Sequence, residues 1–227
     1  MDYRAVIFDL GGVVFGSPLH AIRRYEQANG IEENFVNHLV VAAGPGGSWQ
    51  RLERGELVMG PGFFAALDDD VRAADPSVAE RFSAEEMMAA IAEESKPRPQ
   101  MVDALRRLRA RGYTVAALTN NWVSEEEREP ASAEEAAMRA EVRELFDDYV
   151  ESSVVGLRKP DPEIYRLACG RLGIEPREAV FLDDIGSNLK SARALGMTTI
   201  KVDDPDDALA ELWRTLARRQ RDRNDTK

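Results

Sequence analysis

The chain has 227 residues, 44% of them apolar; this is long for one minimal domain and short for two large ones, so one core with a sizeable insertion is expected. Its 41 acidic and 30 basic side chains give a net charge of -11, which argues against a general nucleic-acid binder, because affinity for phosphate backbones comes from clustered lysine and arginine. A single cysteine excludes an internal disulfide, and no apolar run approaches the ~18 residues of a membrane span, so we expect a cytoplasmic protein.

Short apolar runs that end in polar residues recur along the chain, as buried parallel strands entering tight turns do. The four runs cover residues 5–9, 114–118, 179–182 and 198–202. Segments with helical periodicity precede the last three of them, at residues 101–111, 162–172 and 189–195. This alternation predicts an α/β fold with a Rossmann-like parallel sheet core flanked by helices.

Residues 16–97 differ from the rest, because they contain short helical stretches broken by glycine and proline and no convincing strand. We call this segment the helical insertion and predict that it forms a cap on a core made by residues 1–15 and 98–227. Two further segments are expected to be exposed: a polar, partly helical stretch at residues 124–141, and a solvated helix end at residues 218–227.

Polar side chains follow the predicted strands, at the sheet edge where parallel α/β folds bind ligands. A lysine also lies in a loop bounded by glycine and proline, just before a predicted helix. Carboxylate oxygens suit Mg²⁺, and hydroxyl, lysine and glycine-rich turns suit a phosphoryl group. The sequence therefore predicts a site for a divalent metal and a phosphate, formed by Asp9, Thr119, Asn120, Lys159, Asp183 and Asp184.

Four segments containing these residues resemble the motifs of the haloacid dehalogenase-like (HAD) hydrolase superfamily, in that family's order. They are residues 8–14, 118–122, 159–165 and 181–188. Residues 119–122 and 183–197, which follow the second and third predicted strands, are most similar to the branch that includes the amino-terminal phosphatase domain of soluble epoxide hydrolase. The resemblance extends over residues 5 to about 213 of the core. It implies a hydrolase that removes phosphate from a small molecule.

The resemblance implies a metal site and a nucleophile. Asp9 would attack phosphorus and form an aspartyl-phosphate. Asp9, Asp184 and the backbone carbonyl of Gly11 would hold Mg²⁺, with Asp183 as an adjacent ligand or a supporting acid. Asn188 would orient the metal loop or cap the next helix. A plain helix-capping role for Asp9 is the alternative.

The resemblance also implies a phosphate site. The Thr119 hydroxyl and the Asn120 backbone amide would bind phosphoryl oxygens, and Lys159 would place a positive charge on Asp9 and the phosphate. The alternatives are an ordinary turn at residues 119–120 and a solvated surface lysine.

Gly11 departs from the phosphatase pattern, because most relatives carry an aspartate two residues after the nucleophile as general acid and base. Such assistance is worth ~10²–10⁴-fold in rate. Its loss implies a slow enzyme, a substrate that leaves easily, or a replacement acid from the cap or the substrate.

Two other functions stay open: a metal-free 2-haloacid dehalogenase that uses the same aspartate, and a phosphate-binding protein without turnover. A sugar phosphate is one candidate substrate, and a homodimer stays open. Several further residues have a functional and a structural interpretation, and we favour helix-surface or packing positions over roles at the cleft for these: His20, His38, Trp49, Arg51, Arg54 and Cys169. Trp122 could cover the cleft or seal the hinge of the cap, and both interpretations stay open.

Overall fold

The computed structural model describes residues 2–125 and 133–224, with side chains described as far as residue 218. Its central element is one sheet in which every neighbouring pair of strands is parallel. The strands are β1 (Ala5–Phe8), β2 (Thr114–Thr119), β3 (Asp148–Glu151), β4 (Ala179–Asp183) and β5 (Thr198–Lys201). Their spatial order is β3-β2-β1-β4-β5, so β1 lies at the centre and the predicted α/β fold is confirmed.

One strand of the sheet was not predicted. The four apolar runs form β1, β2, β4 and β5, whereas β3 has the sequence Asp-Tyr-Val-Glu, with Val150 as its only fully buried side chain. An edge strand of this kind has partners on one side only and needs no continuous apolar run. The expectation of four strands was therefore wrong by one.

The helical insertion consists of helices joined by short connections and contains none of the sheet strands. Proline at the first turn begins several of its helices, and Ser83 caps another by accepting from the Glu86 amide. The helices are α1 (Pro18–Ala28), α2 (Phe35–Ala43), α3 (Ser48–Glu53), α4 (Pro61–Ala74), α5 (Pro76–Ala79) and α6 (Ala84–Glu94). They share a hydrophobic cluster of their own, which includes Tyr25, Leu52, Phe63 and Met87.

The remaining helices cover the two faces of the sheet. They are α7 (Pro99–Ala110), α8 (Ala133–Leu145), α9 (Ser152–Val155), α10 (Pro162–Leu172), α11 (Gly186–Ala194) and α12 (Pro205–Asn224). Because side chains alternate along a strand, Val6 and Phe8 of β1 pack on the face covered by α7 and α12, while Ile7 packs on the face covered by α10 and α11. The central strand is thus buried on both faces.

Two segments predicted to be exposed fall partly outside the described residues. Of the polar stretch at residues 124–141, residues 133–141 belong to α8, and residues 126–132 lie outside the description. Helix α12 includes the predicted helix end as far as Asn224, and residues 225–227 lie outside it. Among the described residues, no helix combines the length and apolar character that a membrane crossing requires.

Candidate active site

Three carboxylates meet at the carboxyl edge of the sheet. Asp9 directly follows β1, Asp183 is the last residue of β4, and Asp184 comes next. The parallel pairing of β1 with β4 aligns Phe8 with Leu182, so the two strands deliver these acids to the same level. Carboxylate oxygens of all three lie within 4.8 Å of one another, although about 175 residues separate Asp9 from the other two. The predicted convergence of these acids is present in the structure.

Lys159 lies between two of these acids. Its Nζ is 2.8 Å from Asp9 Oδ1 and 2.7 Å from Asp183 Oδ2, and its side chain is only 1% exposed. Burial by itself would lower the pKa of this ammonium, but the Asp183 and Asp9 carboxylates outweigh burial and raise the pKa. The lysine therefore carries a fixed positive charge beside Asp9, and it is not a solvated surface residue.

Excess negative charge remains in the site despite this lysine. Burial raises the pKa of Asp9 to about 7, against the lowering effect of Lys159, and the neighbouring Asp183 and Asp184 carboxylates add to the rise. Burial likewise raises the pKa of Asp184 to about 6, with Asp183 adding to the effect. The carboxylate oxygens are ligands that suit a hard divalent cation. Because the single ammonium offsets only part of their negative charge, such a cation would neutralise the surplus.

Asp183 and Asp184 differ in what surrounds them. Both oxygens of Asp183 accept hydrogen bonds within the protein: Oδ1 from the Ile185 amide at 2.8 Å and from Asn188 Nδ2 at 3.0 Å, and Oδ2 from Lys159 at 2.7 Å. Asp183 is fully buried, whereas Asp184 is half-buried. Asp183 is thus occupied in holding Lys159 and the loop after β4, and Asn188 orients that loop through it.

Gly12 allows the Asp184 carboxylate to reach the site. Its φ is +80°, a conformation that favours glycine. A methyl group at this position would lie 2.5 Å from Asp184 Cγ and closer still to Oδ2. The Arg98 guanidinium donates to the Gly12 carbonyl at 2.7 Å, which holds this turn from the other side. Neither the need for glycine here nor the contact of Arg98 was foreseen from the sequence.

Thr119 and Asn120 end β2 beside these groups, and Thr119 is buried. The Asn120 side chain fastens the lysine loop: its Oδ1 accepts from the Lys159 amide at 2.8 Å, and its Nδ2 donates to the Lys159 carbonyl at 3.0 Å. The sequence pointed only to the Asn120 backbone amide. The asparagine side chain therefore has a positioning role that was missed, and no spacing rule in the sequence indicated it.

An ion pair links the helical insertion to the lysine loop. Arg158, which precedes Lys159, contacts Glu53 of α3 with Nε at 2.6 Å and Nη2 at 2.5 Å from the same oxygen. Trp49 Nε1 donates to the other Glu53 oxygen at 3.1 Å. The pair was also missed, because nothing in the sequence indicates that residues 105 positions apart are partners.

A cavity of about 790 Å³ lies between the sheet edge and the helical insertion. Leu10, Gly11, Thr119 and Asn120 line its end at the site. Much of the remaining wall is apolar, with Met59, Phe64, Met88, Ile91 and Trp122 among its side chains. A ligand held at Thr119 would therefore extend its organic part into a largely apolar space.

The other residues singled out from the sequence have the structural roles that we favoured, and Trp122 is the one whose role was left open. His20 and His38 are exposed and do not line the cavity. Burial raises the pKa of the Cys169 thiol to about 11, which suits an inert core residue. Arg51 and Arg54 pair with Glu56 on the surface. Trp122 lines the cavity and packs on Trp49, with their ring centroids 6.2 Å apart.

Comparisons with known proteins agree with this geometry. A family model described as "haloacid dehalogenase-like hydrolase" matches residues 3–196. The chain is 37% identical over 213 residues to "Acyl-CoA dehydrogenase family member 10" of Mus musculus, and 36% identical over 217 residues to "Bifunctional epoxide hydrolase 2" of Sus scrofa. Each match covers 93% of this chain but only 19% and 38% of those relatives, so the chain spans less than half of their length.

Two solved structures show the fold. A HAD family enzyme from Bacteroides thetaiotaomicron, in complex with magnesium and inorganic phosphate, matches with a TM-score of 0.56 and 21% identity over 87% of this chain and 93% of that one. L-2-haloacid dehalogenase from Xanthobacter autotrophicus, with covalently bound chloropropionic acid, has the same TM-score and 18% identity over 92% of this chain and 81% of that one. The fold alone therefore does not separate phosphatase from dehalogenase.

Proposed function

The chain belongs to the haloacid dehalogenase-like hydrolases, and we propose that within this family it is a Mg²⁺-dependent phosphatase acting on a small-molecule phosphate monoester. The observation that carries this proposal is the grouping of Asp9, Asp183 and Asp184 within 4.8 Å around a buried lysine. Lys159 offsets only one of the three negative charges, and a metal-free dehalogenation leaves the excess charge unbalanced. Phosphate transfer with a bound divalent cation would balance it.

Asp9 is the nucleophile in this proposal. Its two hydrogen-bond contacts in the described structure, from the Leu10 amide at 2.7 Å and from Lys159 at 2.8 Å, both fall on Oδ1. Within the described residues, Oδ2 is thus left for attack on phosphorus, which gives an aspartyl-phosphate that water hydrolyses. Lys159 keeps Asp9 oriented and offsets negative charge as the phosphate approaches.

Asp9, Asp184 and the Gly11 carbonyl are the groups that would hold Mg²⁺. The internal hydrogen bonds of Asp183 favour Asp184 as the direct ligand and Asp183 as the acid that supports Lys159 and Asn188. When bound, the cation supplies charge neutralisation between the anionic nucleophile and the anionic phosphate. A bound cation would also favour the ionised form of both Asp9 and Asp184.

The phosphoryl oxygens would bind to the Thr119 hydroxyl and to the Asn120 backbone amide at the end of β2. Both residues line the cavity, so a phosphate there would have its organic part in the space under the helical insertion. We propose that the helical insertion acts as the cap of the site, with Trp122 and Trp49 at the contact between insertion and core. The many apolar side chains of the walls favour a substrate whose organic part is at least partly apolar.

Phosphate release from an aryl phosphate tests this function. Wild-type protein is expected to release phosphate with Mg²⁺ and to lose that activity with a chelator. Asp9→Asn should be inactive, whereas Asp203→Asn, which changes an exposed aspartate, should match wild type. Activity that survived Asp9→Asn would refute the nucleophile.

Two results would instead favour the other functions. Halide release from 2-chloropropionate in the presence of chelator would support the dehalogenase. Saturable binding of phosphate without turnover of any ester would support the binding protein.

A further inference from the structure

Gly11 and Pro18 together shape the place where the leaving group of the substrate would lie. Both residues line the cavity at its catalytic end, next to Leu10 and Phe15. Gly11 has φ -66° and ψ 128°, an ordinary extended conformation that any residue adopts. The backbone thus does not require glycine at this position, unlike at Gly12.

A ring of the helical insertion takes up part of the space beside Gly11. A methyl group on Gly11 would lie 3.2 Å from Pro18 Cγ and 3.3 Å from Pro18 Cδ, and apart from its chain neighbours no other side chain of the described residues comes within 4 Å of it. Pro18 is the first residue of α1, where proline is well suited to begin a helix. An apolar ring therefore stands next to the position two residues after the nucleophile, and no proton-donating side chain of the described residues lies within 4 Å of that methyl position.

The ionisable side chains that line the cavity belong to other walls. Among the described residues they are Glu85 at the start of α6, Glu125 in the chain after β2, and Arg139 of α8. Glu125 lies against Gly60, and Arg139 donates to Glu135 at 2.9 Å and to the Ser95 carbonyl. None of these side chains is among the atoms within 4 Å of the methyl position on Gly11.

We propose that the site is built for phosphates whose leaving oxygen departs as a stable anion, namely aryl, enol or acyl phosphates, because Gly11 supplies no acid there and the Pro18 ring occupies the space beside it. This inference rests on the phosphatase function proposed above. An oxygen of Asp9 forms a bond to phosphorus while the bond from phosphorus to the leaving oxygen breaks. The electron pair goes to the leaving oxygen, which departs as a phenolate, enolate or carboxylate and takes no proton from the protein. Water then bonds to phosphorus and frees Asp9, leaving one proton on phosphate and one in solvent.

The dependence of kcat/KM on the leaving group tests the proposal. The substrates are acetyl phosphate, substituted phenyl phosphates and a simple alkyl phosphate. Their leaving groups are a carboxylate, phenolates whose conjugate acids have a pKa of ~10, and an alkoxide whose conjugate acid has a pKa closer to that of water, ~15.7. Wild type is expected to process aryl and acyl phosphates at least ~10²-fold faster than the alkyl phosphate, because unassisted expulsion forgoes general acid catalysis. Equal rates on all of them would overturn the proposal and leave the phosphatase function standing, whereas no Mg²⁺-dependent release from any of them would refute the phosphatase function itself.

Restoring an acid provides the matching gain-of-function test. The double variant Gly11→Asp with Pro18→Ala makes room for a carboxylate and should raise alkyl phosphate hydrolysis by ~10²–10⁴-fold, with a much smaller change for aryl phosphates. Gly11→Asn with Pro18→Ala places an amide of the same size and should give no such gain, and Pro18→Ala alone should keep the steep dependence on leaving group. Melting curves show whether each variant is folded.

Two further variants test for an acid supplied by the cap. Glu125→Gln and Glu85→Gln should leave the leaving-group dependence unchanged. If either change selectively reduced hydrolysis of the alkyl phosphate, that glutamate would be the proton donor and the proposal would be wrong.

Discussion

Replacing Gly12 by alanine should weaken the metal site without unfolding the protein. The positive φ of +80° costs an alanine about 1–2 kcal/mol. The new methyl group would also overlap the Asp184 carboxylate, which must turn away to make room. Displacing a group that supports or ligates a metal typically costs about 10–100-fold in metal affinity or activity. We therefore expect Mg²⁺ affinity and phosphate release to fall by at least about 10-fold.

Gly112→Ala provides the matched control. Gly112 has almost the same φ, +79°, but a methyl group there would meet no atom within 4 Å. The free energy of unfolding of the Gly112→Ala variant, measured in urea, should fall by about 1–2 kcal/mol because of the same backbone strain. Its Mg²⁺ affinity and activity should stay at the wild-type level. Calorimetric titration with Mg²⁺ compares the two variants. If Gly12→Ala bound Mg²⁺ as tightly as Gly112→Ala, the placement of Asp184 at the metal would be refuted.

Three further predictions follow from the same contacts. Without metal, the pKa values of Asp9 (about 7) and Asp184 (about 6) lie above the value of ~3.9 expected in the unfolded chain. The folded state therefore binds more protons than the unfolded state between these values, so the free energy of unfolding should fall as pH rises from ~4 to ~7. Urea unfolding with chelator should show a shallower fall for Asp9→Asn, and an unchanged slope would contradict the burial of this acid. Glu53→Gln leaves Arg158 without its anionic partner and should cost about 1–3 kcal/mol of unfolding free energy; no measurable loss would mean that the pair is solvated. Asn120→Ala frees the lysine loop and should lower kcat by up to about 10²-fold, and an unchanged kcat in steady-state assays would remove its positioning role.

The sequence predicted those parts of the fold that depend on residues close together in the chain. The apolar runs of β1 and β4 need two covered faces, and each ends in aspartate, so both their burial and the position of the acids could be inferred. The strand ends and the loop position grouped Lys159 and Asp184 with Asp9 at one sheet edge, and the resemblance of motifs supplied their individual roles. Strand β3 was missed because an edge strand with one buried residue, Val150, has no distinctive pattern.

The missed contacts all depend on distances between parts of the chain that are remote in sequence. The Asn120 side chain meets the Lys159 backbone 39 residues away, and Glu53 meets Arg158 across the insertion and the core. A glycine is visible at position 12, but its closeness to Asp184 is a property of the folded turn. The same holds for the Pro18 ring beside Gly11, which gives the missing acid a structural context that the sequence lacked.

A search for phosphate bonded to Asp9 tests the central claim most directly. Wild-type protein is mixed with an aryl phosphate and Mg²⁺, quenched in acid within the first turnover, digested and measured by mass spectrometry. We predict one added phosphoryl group on the peptide that contains Asp9, absent with chelator and absent in Asp9→Asn. Phosphate release with no such adduct at any time point, or an adduct on another residue, would contradict the account.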